Sequence, residues 1–170
     1  MPTSLISALS CMAEHEGIIR RAFLTKRYNP RGKYQVRIYS GFEKKWKTVT
    51  IDDFIPVKKD GMPKFAQPHY NELWVMLLEK GYAKLHRNYE NLKTGFVDYA
   101  LRDLTGGNSQ QIKWAPPETD DALATKSDEV WKDVSRYLDQ GCLLGCSATV
   151  PKGARREVDV EGFGILKGHA

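Results

Sequence analysis

The chain has 170 residues, of which 41% are apolar and 28% charged, with a formal net charge of +5. That is the size and composition of one globular domain with a buried core. No apolar run approaches the ~20 residues of a membrane span, and no basic stretch precedes Leu5–Ala8 to make a secretory signal, so a cytoplasmic protein is expected.

The first element is a helix from about Ser4 to Ile19. Thr3 or Ser4 can cap it, because a side-chain hydroxyl can accept a bond from a free N–H of the first turn. Leu5, Ile6, Leu9, Met12 and Ala13 make its apolar stripe, and Gly17 is expected to end or bend it. Asn29-Pro30-Arg31-Gly32 reads as a turn. Tyr34, Val36 and Ile38 alternate with Gln35, Arg37 and Tyr39, the period of a half-buried strand. A short polar connection over Ser40–Lys45 leads to a second strand, Trp46–Ile51, and the two form a hairpin. Asp52–Gln67 holds Pro56, Gly61 and Pro63 and reads as loop, with a short strand at most.

A long helix follows over Asn71–His86. It is apolar round most of its circumference and should be buried. Val97–Leu104 is a shorter helix ending at Gly106-Gly107. Asn108–Lys126 reads as a polar surface connection, after which Ser127 caps an amphipathic helix that Gly141 stops. Leu143–Val150 reads as a strand, Pro151–Val158 as a charged loop, and Phe163–Ala170 as the start of a last strand. There are no internal repeats. Helices and antiparallel strands fall in separate blocks, which argues an α+β fold.

Cys11, Cys142 and Cys146 make an odd count with no disulfide-scaffold or zinc spacing. They read as buried structural thiols. The basic residues are spread along the chain, with small clusters at Arg20-Arg21, Glu43-Lys44-Lys45-Trp46-Lys47 and Lys58-Lys59. No nucleic-acid motif accompanies them, so a solvated surface and no nucleic-acid partner are expected. His15, His69 and His86 read as surface or cap residues.

Four stretches together resemble the calpain protease core. They are Leu5-Ile6-Ser7-Ala8-Leu9-Ser10 with Ala13-Glu14; Tyr34–Arg37 with Thr48–Pro56; Asn71-Glu72-Leu73-Trp74 through His86, with Asp103-Leu104-Thr105-Gly106-Gly107; and Leu143–Ser147 with Leu166-Lys167-Gly168-His169-Ala170. The resemblance covers nearly the whole chain, so residues 1–170 are read as one catalytic domain. It implies a papain-like α+β fold, incomplete here, and descent from calcium-dependent cysteine endopeptidases acting on protein or peptide substrates. The oligomeric state stays open.

In that chemistry a Cys at a helix N-terminus is held as thiolate by the helix dipole and by a His across the cleft. The thiolate attacks a peptide carbonyl and the His protonates the leaving amine. His169 matches the general base. Thr3, or Ser4 with a one-residue slip, stands where the family has its nucleophile. A hydroxyl is a poor substitute for a thiolate, so the resemblance implies a chain without endopeptidase activity, and a non-catalytic protein-binding module is the alternative. The family's oxyanion Gln and orienting Asn would fall before Met1 and after Ala170, so a piece of a longer core is expected. Glu72 matches a carboxylate that binds Ca2+ in the family. Read from the residues alone, Glu72 is a first-turn acid after an Asn71 cap.

Overall fold

The computed structural model describes residues 3–68, 72–92, 95–112, 120–146, 158–160 and 165–167. Five helices and four strands lie among them: α1 (Thr3–Ala13), α2 (Glu16–Ala22), β1 (Lys33–Ser40), β2 (Lys45–Asp52), α3 (Trp74–Leu85), α4 (Val97–Thr105), α5 (Asp120–Asp139), β3 (Val158–Val160) and β4 (Ile165–Lys167). The strands make two antiparallel pairs, β1 with β2 and β3 with β4. Helices and antiparallel strands in separate blocks make the fold α+β.

The β1–β2 hairpin is the centre of the core. Its register sets Val36 opposite Val49 and Tyr34 opposite Ile51. Tyr34, Val36 and Ile38 are buried on one face, while Lys33 and Arg37 are exposed on the other. This is the period-two burial that alternating sequence requires. Ahead of the hairpin, Asn29 accepts the Gly32 N–H on its carbonyl and the Arg31 N–H on its side chain, closing the expected turn. Helix α3 lies on the hairpin with Leu77, Leu78, Gly81, Tyr82 and Ala83 buried. Gly81 permits the approach, because a Cβ built there would stand 2.4 Å from Cγ2 of Val36.

The expected single N-terminal helix is two. It breaks at Glu14-His15 rather than at Gly17, which lies inside α2. Helical phase gives the reason. Leu5, Ala8, Leu9 and Met12 form the buried stripe of α1, and Ala13 is exposed. Continued without a break, that stripe would bury His15 and Glu16 at three and four residues past Met12. With the break, His15 leaves the helical region (φ −131°, ψ 84°) at the start of α2, both polar residues stay exposed, and Ile18, Ile19 and Ala22 turn to the core.

Two other helix starts differ from expectation. Helix α3 begins at Trp74, three residues after Asn71, with no side-chain cap. Helix α5 begins at Asp120, not Ser127. Ala122-Leu123-Ala124 are strong helix formers, which favours a start upstream of Ser127. At its other end, Gly141 (φ 73°) donates to the Leu138 carbonyl and Cys142 donates to that of Tyr137. This is the paired-bond ending that favours glycine.

The expected strand over Leu143–Val150 is absent as far as it is described: residues 142–146 have no regular structure, and 147–150 lie outside the described residues. The reading of three buried thiols is also corrected. Cys142 and Cys146 are exposed, and Cys11 is half-buried.

Two buried polar groups tie elements together. Glu79 on α3 is only 3% exposed. Its Oε2 accepts the Ala66 N–H at 3.0 Å, which fastens the loop after β2, while Oε1 has no partner. Burial pushes the Glu79 carboxyl up, and the Ala66 N–H offsets this only in part. Burial, with the charges of Glu79 and Asp52, also pushes nearby Tyr89 up to about 12. Helix α4 ends on Gly106 in the left-handed region (φ 73°), whose N–H donates to the Arg102 carbonyl. A Cβ there would stand 2.2 Å from Cζ2 of Trp46.

Two stability effects are expected. Gly106→Ala meets both a positive φ and the Trp46 ring, so it should cost about 1–3 kcal/mol and lower Tm by several degrees; an unchanged melt would show that α4 does not close on Trp46. Glu79 favours its protonated form when folded. Its contribution is therefore fully present below the unfolded carboxyl pKa and is lost as pH rises through the folded one. The Tm of Glu79→Gln minus that of the wild type should increase with pH across that window and then level off. Parallel Tm–pH curves would show that Glu79 is not buried as described.

Candidate active site

The positions singled out in the sequence lie on different parts of this frame. Helix α1 carries Thr3 and Ser4 in its first turn. Ser4 is 8% exposed, and a Cβ on Gly95 would stand 3.2 Å from its hydroxyl oxygen. The hydroxyl therefore faces the chain just ahead of α4. Ser4 is buried because it continues the inward stripe of α1, one turn before Ala8. A nucleophile must reach a substrate carbonyl, and Ser4 as a whole is buried.

His169 lies outside the described residues, as do His69 and Asn71; the last described residue ahead of His169 is Lys167, the end of β4. Cys11 lies on the part of α1 remote from Thr3. Its Sγ donates to the Leu144 carbonyl at 3.1 Å, and burial is the largest influence pushing its thiol up. A raised pKa and a remote place both disfavour a nucleophilic role.

Glu72 is not in the first turn of α3. It stands two residues before the helix, and its Oε2 accepts the Trp74 indole N–H at 3.2 Å. It borders a groove of about 740 Å3 shared with Glu16, Thr25, Arg20, Lys26 and Arg27. Calcium takes six to eight oxygen ligands. Among the described residues no three His, Cys, Asp or Glu side chains come together to hold a metal, and three cationic side chains border this groove. The described donor set does not fit calcium.

One polar cluster was not foreseen. Asp103 on α4 is 3% exposed. Its Oδ1 accepts Arg102 Nε and Nη2 at 3.1 and 2.9 Å, and its Oδ2 accepts the Tyr82 hydroxyl at 3.3 Å. His86, the C-cap of α3, has Nε2 at 3.6 Å from Oδ2 and packs tilted against the Tyr82 ring, with centroids 4.4 Å apart. A His beside a buried Asp has the look of a catalytic pair, but its parts do not act as one. The contact exceeds the ~3.2 Å of a working proton-transfer bond. Tyr82, the hydroxyl nearest to it, is pushed far above its ordinary value by burial first and then by Asp103. The cluster joins α3 to α4. The four-residue spacing of Tyr82 and His86, which puts both on one helix face, was the available signal.

Among the described residues no helix is long and apolar enough to cross a membrane.

Comparison with known proteins agrees with the resemblance. Residues 4–170 match the calpain family cysteine protease model. The chain is 38% identical over 168 residues to the calpain-type cysteine protease ADL1 of Oryza sativa subsp. japonica, covering 98% of this chain and 7% of the relative. It is 39% identical over 166 residues to the calpain-type cysteine protease DEK1 of Arabidopsis thaliana, covering 97% and 7%. Calpain-9 of Mus musculus is 36% identical over 127 residues, covering 74% and 17%. The chain thus spans a small part of the length of each relative. With its order of helices and hairpin, and with a match running from the first turn of α1 to the last residue, the chain belongs to the calpain family of cysteine proteases and carries an incomplete α+β papain-like core.

Proposed function

We propose that this chain is a calpain-type endopeptidase core that does not itself cleave peptide bonds. The observation that supports this reading is the first turn of α1, which holds Thr3 and Ser4 and no cysteine, with Ser4 buried beside Gly95; by resemblance these two positions match the family's nucleophile. A cysteine there would be a few per cent thiolate at neutral pH even unassisted, and more at a helix N-terminus. A Ser or Thr hydroxyl is essentially never ionised. The helix dipole that stabilises a thiolate by about 0.3–1 kcal/mol is far too weak to ionise an alcohol.

In this reading His169 keeps the general-base position and Thr3 or Ser4 keeps the nucleophile position, without the group the His would activate. Protein and peptide segments are the natural partners of such a cleft. The same first turn favours the second reading, a calpain-like pseudoprotease that binds protein segments and releases them intact. Calcium dependence is a family property. Glu72 is the one position of this chain that matches a calcium-binding carboxylate of the family; the residues described around it do not fit the ion, and no step of the reaction is placed on it. A cytoplasmic location accords with protein substrates and free thiols.

The test is hydrolysis of an unstructured casein-like substrate by the purified chain, with and without calcium. The wild type is expected to give no turnover above a His169→Ala control. General acid–base assistance is worth about 10²–10⁴-fold and only alongside a nucleophile. Wild-type turnover that falls at least 100-fold on His169→Ala would overturn the proposal, and a further loss on Thr3→Ala or Ser4→Ala would name the hydroxyl responsible.

A further inference from the structure

The 142–146 segment is irregular, yet it is held against the helices by three contacts. Leu143 packs on the core. Leu144 offers its carbonyl to Cys11 Sγ on α1 at 3.1 Å, across 133 positions of sequence. Gly145 lies so close to α4 that a Cβ built on it would stand 2.6 Å from Cγ1 of Val97. Cys146 follows directly. It is two residues from the carbonyl that Cys11 touches, and a two-residue step spans at most about 7 Å.

Electrostatics separates the two neighbouring thiols. Cys142 and Cys146 are equally far from Leu144 in sequence, but it is Cys146, when ionised, that adds with Glu14 to the burial that pushes the Cys11 thiol up. Both Cys146 and Cys142 are exposed and Cys11 is half-buried, so an oxidant in solution reaches Cys146 before Cys11. A disulfide needs Cα atoms within about 7 Å, and an irregular segment can adjust to that without disturbing a helix or a strand.

We propose that Cys11 and Cys146 form an oxidation-sensitive pair that closes to a disulfide and fastens the 142–146 segment onto α1. With hydrogen peroxide as oxidant, the Cys146 thiolate attacks one peroxide oxygen, the O–O bond breaks, and Cys146 becomes a sulfenic acid as hydroxide leaves. The Cys11 sulfur then attacks the Cys146 sulfur, the S–O bond breaks, and water carries off the oxygen with the Cys11 proton. Two thiols and one peroxide yield one disulfide and two waters. Because Cys11 is pushed up by burial, the second step is the slow one and quickens with pH. The bond would join residues far apart in sequence, which restricts the unfolded chain more than a short loop does, so oxidation should raise Tm.

The test treats the purified full chain with a small excess of hydrogen peroxide, alkylates the remaining thiols and maps the tryptic peptides. Peptide 1–20 carries Cys11, and peptide 137–152 carries both Cys142 and Cys146, so fragmentation between the last two assigns the link. A bond from Cys11 to Cys146 is expected. It should be reversed by dithiothreitol, retained in Cys142→Ser, absent from Cys11→Ser and Cys146→Ser, and accompanied by a Tm rise of several degrees. A Cys142–Cys146 link, a Cys11–Cys142 link, intermolecular dimers, or Cys146 sulfinic acid with Cys11 still free would each overturn the proposal. Assignment in the wild type does not depend on any variant folding.

Discussion

Everything else in the fold rests on how closely α3 approaches the β1–β2 hairpin. Gly81 faces Val36 at a separation that leaves no room for a methyl group, and on either side of it Leu78 and Ile38 are fully buried. Buried side chains of this size contribute about 1.5–3 kcal/mol each, so the contact supplies much of the apolar stabilisation. Two lysines reinforce its edge: Lys84 donates to the Thr50 carbonyl, and Lys80 to Phe54 O and Asp52. Lys80 is the main reason the Asp52 carboxyl sits below its ordinary range. With α3 and the hairpin set, α4 is placed through Asp103 and through the Gly106 contact with Trp46. Helix α1 then packs on α4 and presents its first turn beside Gly95.

The polar groups inside this frame fix geometry more than they add stability. Asp103 is satisfied by Arg102 and Tyr82, and such charge-assisted bonds are worth about 1.5–3 kcal/mol each. Glu79 is only half satisfied. It holds the Ala66 backbone at the cost of a carboxyl oxygen with no partner. Glu79 ties α3 to the loop after β2, and Asp103 ties α4 to α3 through Tyr82. Because the chain just ahead of α4 lies beside Ser4, the environment of the first turn of α1 depends on how the Asp103 anchor sets α4.

Much of this was legible in the sequence, and the misses have physical causes. The hairpin could be read because period two with β-branched residues has few other outcomes, and the Gly106 and Gly141 helix ends because each needs a positive φ. The break at Glu14-His15 was missed because the apolar stripe was followed only to Ala13. Carrying it one turn further puts His15 and Glu16 in the core and exposes the conflict. The start of α5 was missed because Ser127 is a good cap, while Ala122-Leu123-Ala124 lies in an otherwise polar stretch. The exposure of Cys142 and Cys146 was missed because an apolar run was equated with a strand. The Asp103 cluster needed α3 and α4 in contact, which no local pattern encodes. At the candidate site, Thr3 and Ser4 were placed by resemblance alone; the burial of Ser4 against Gly95 is a tertiary fact that no motif announces.

The chain thus has a calpain-family frame whose first helical turn lacks a thiol. The most direct measurement of that arrangement is an NMR titration of the His169 imidazole in the wild type and in Thr3→Cys. If His169 holds the proposed general-base position, a thiolate in the first turn of α1 would stabilise its imidazolium. The His169 pKa should therefore be higher in Thr3→Cys than in the wild type, and the shift should vanish when the new thiol is alkylated with a neutral reagent. Identical titrations in the two proteins would contradict the arrangement, because His169 would then not face the first turn of α1.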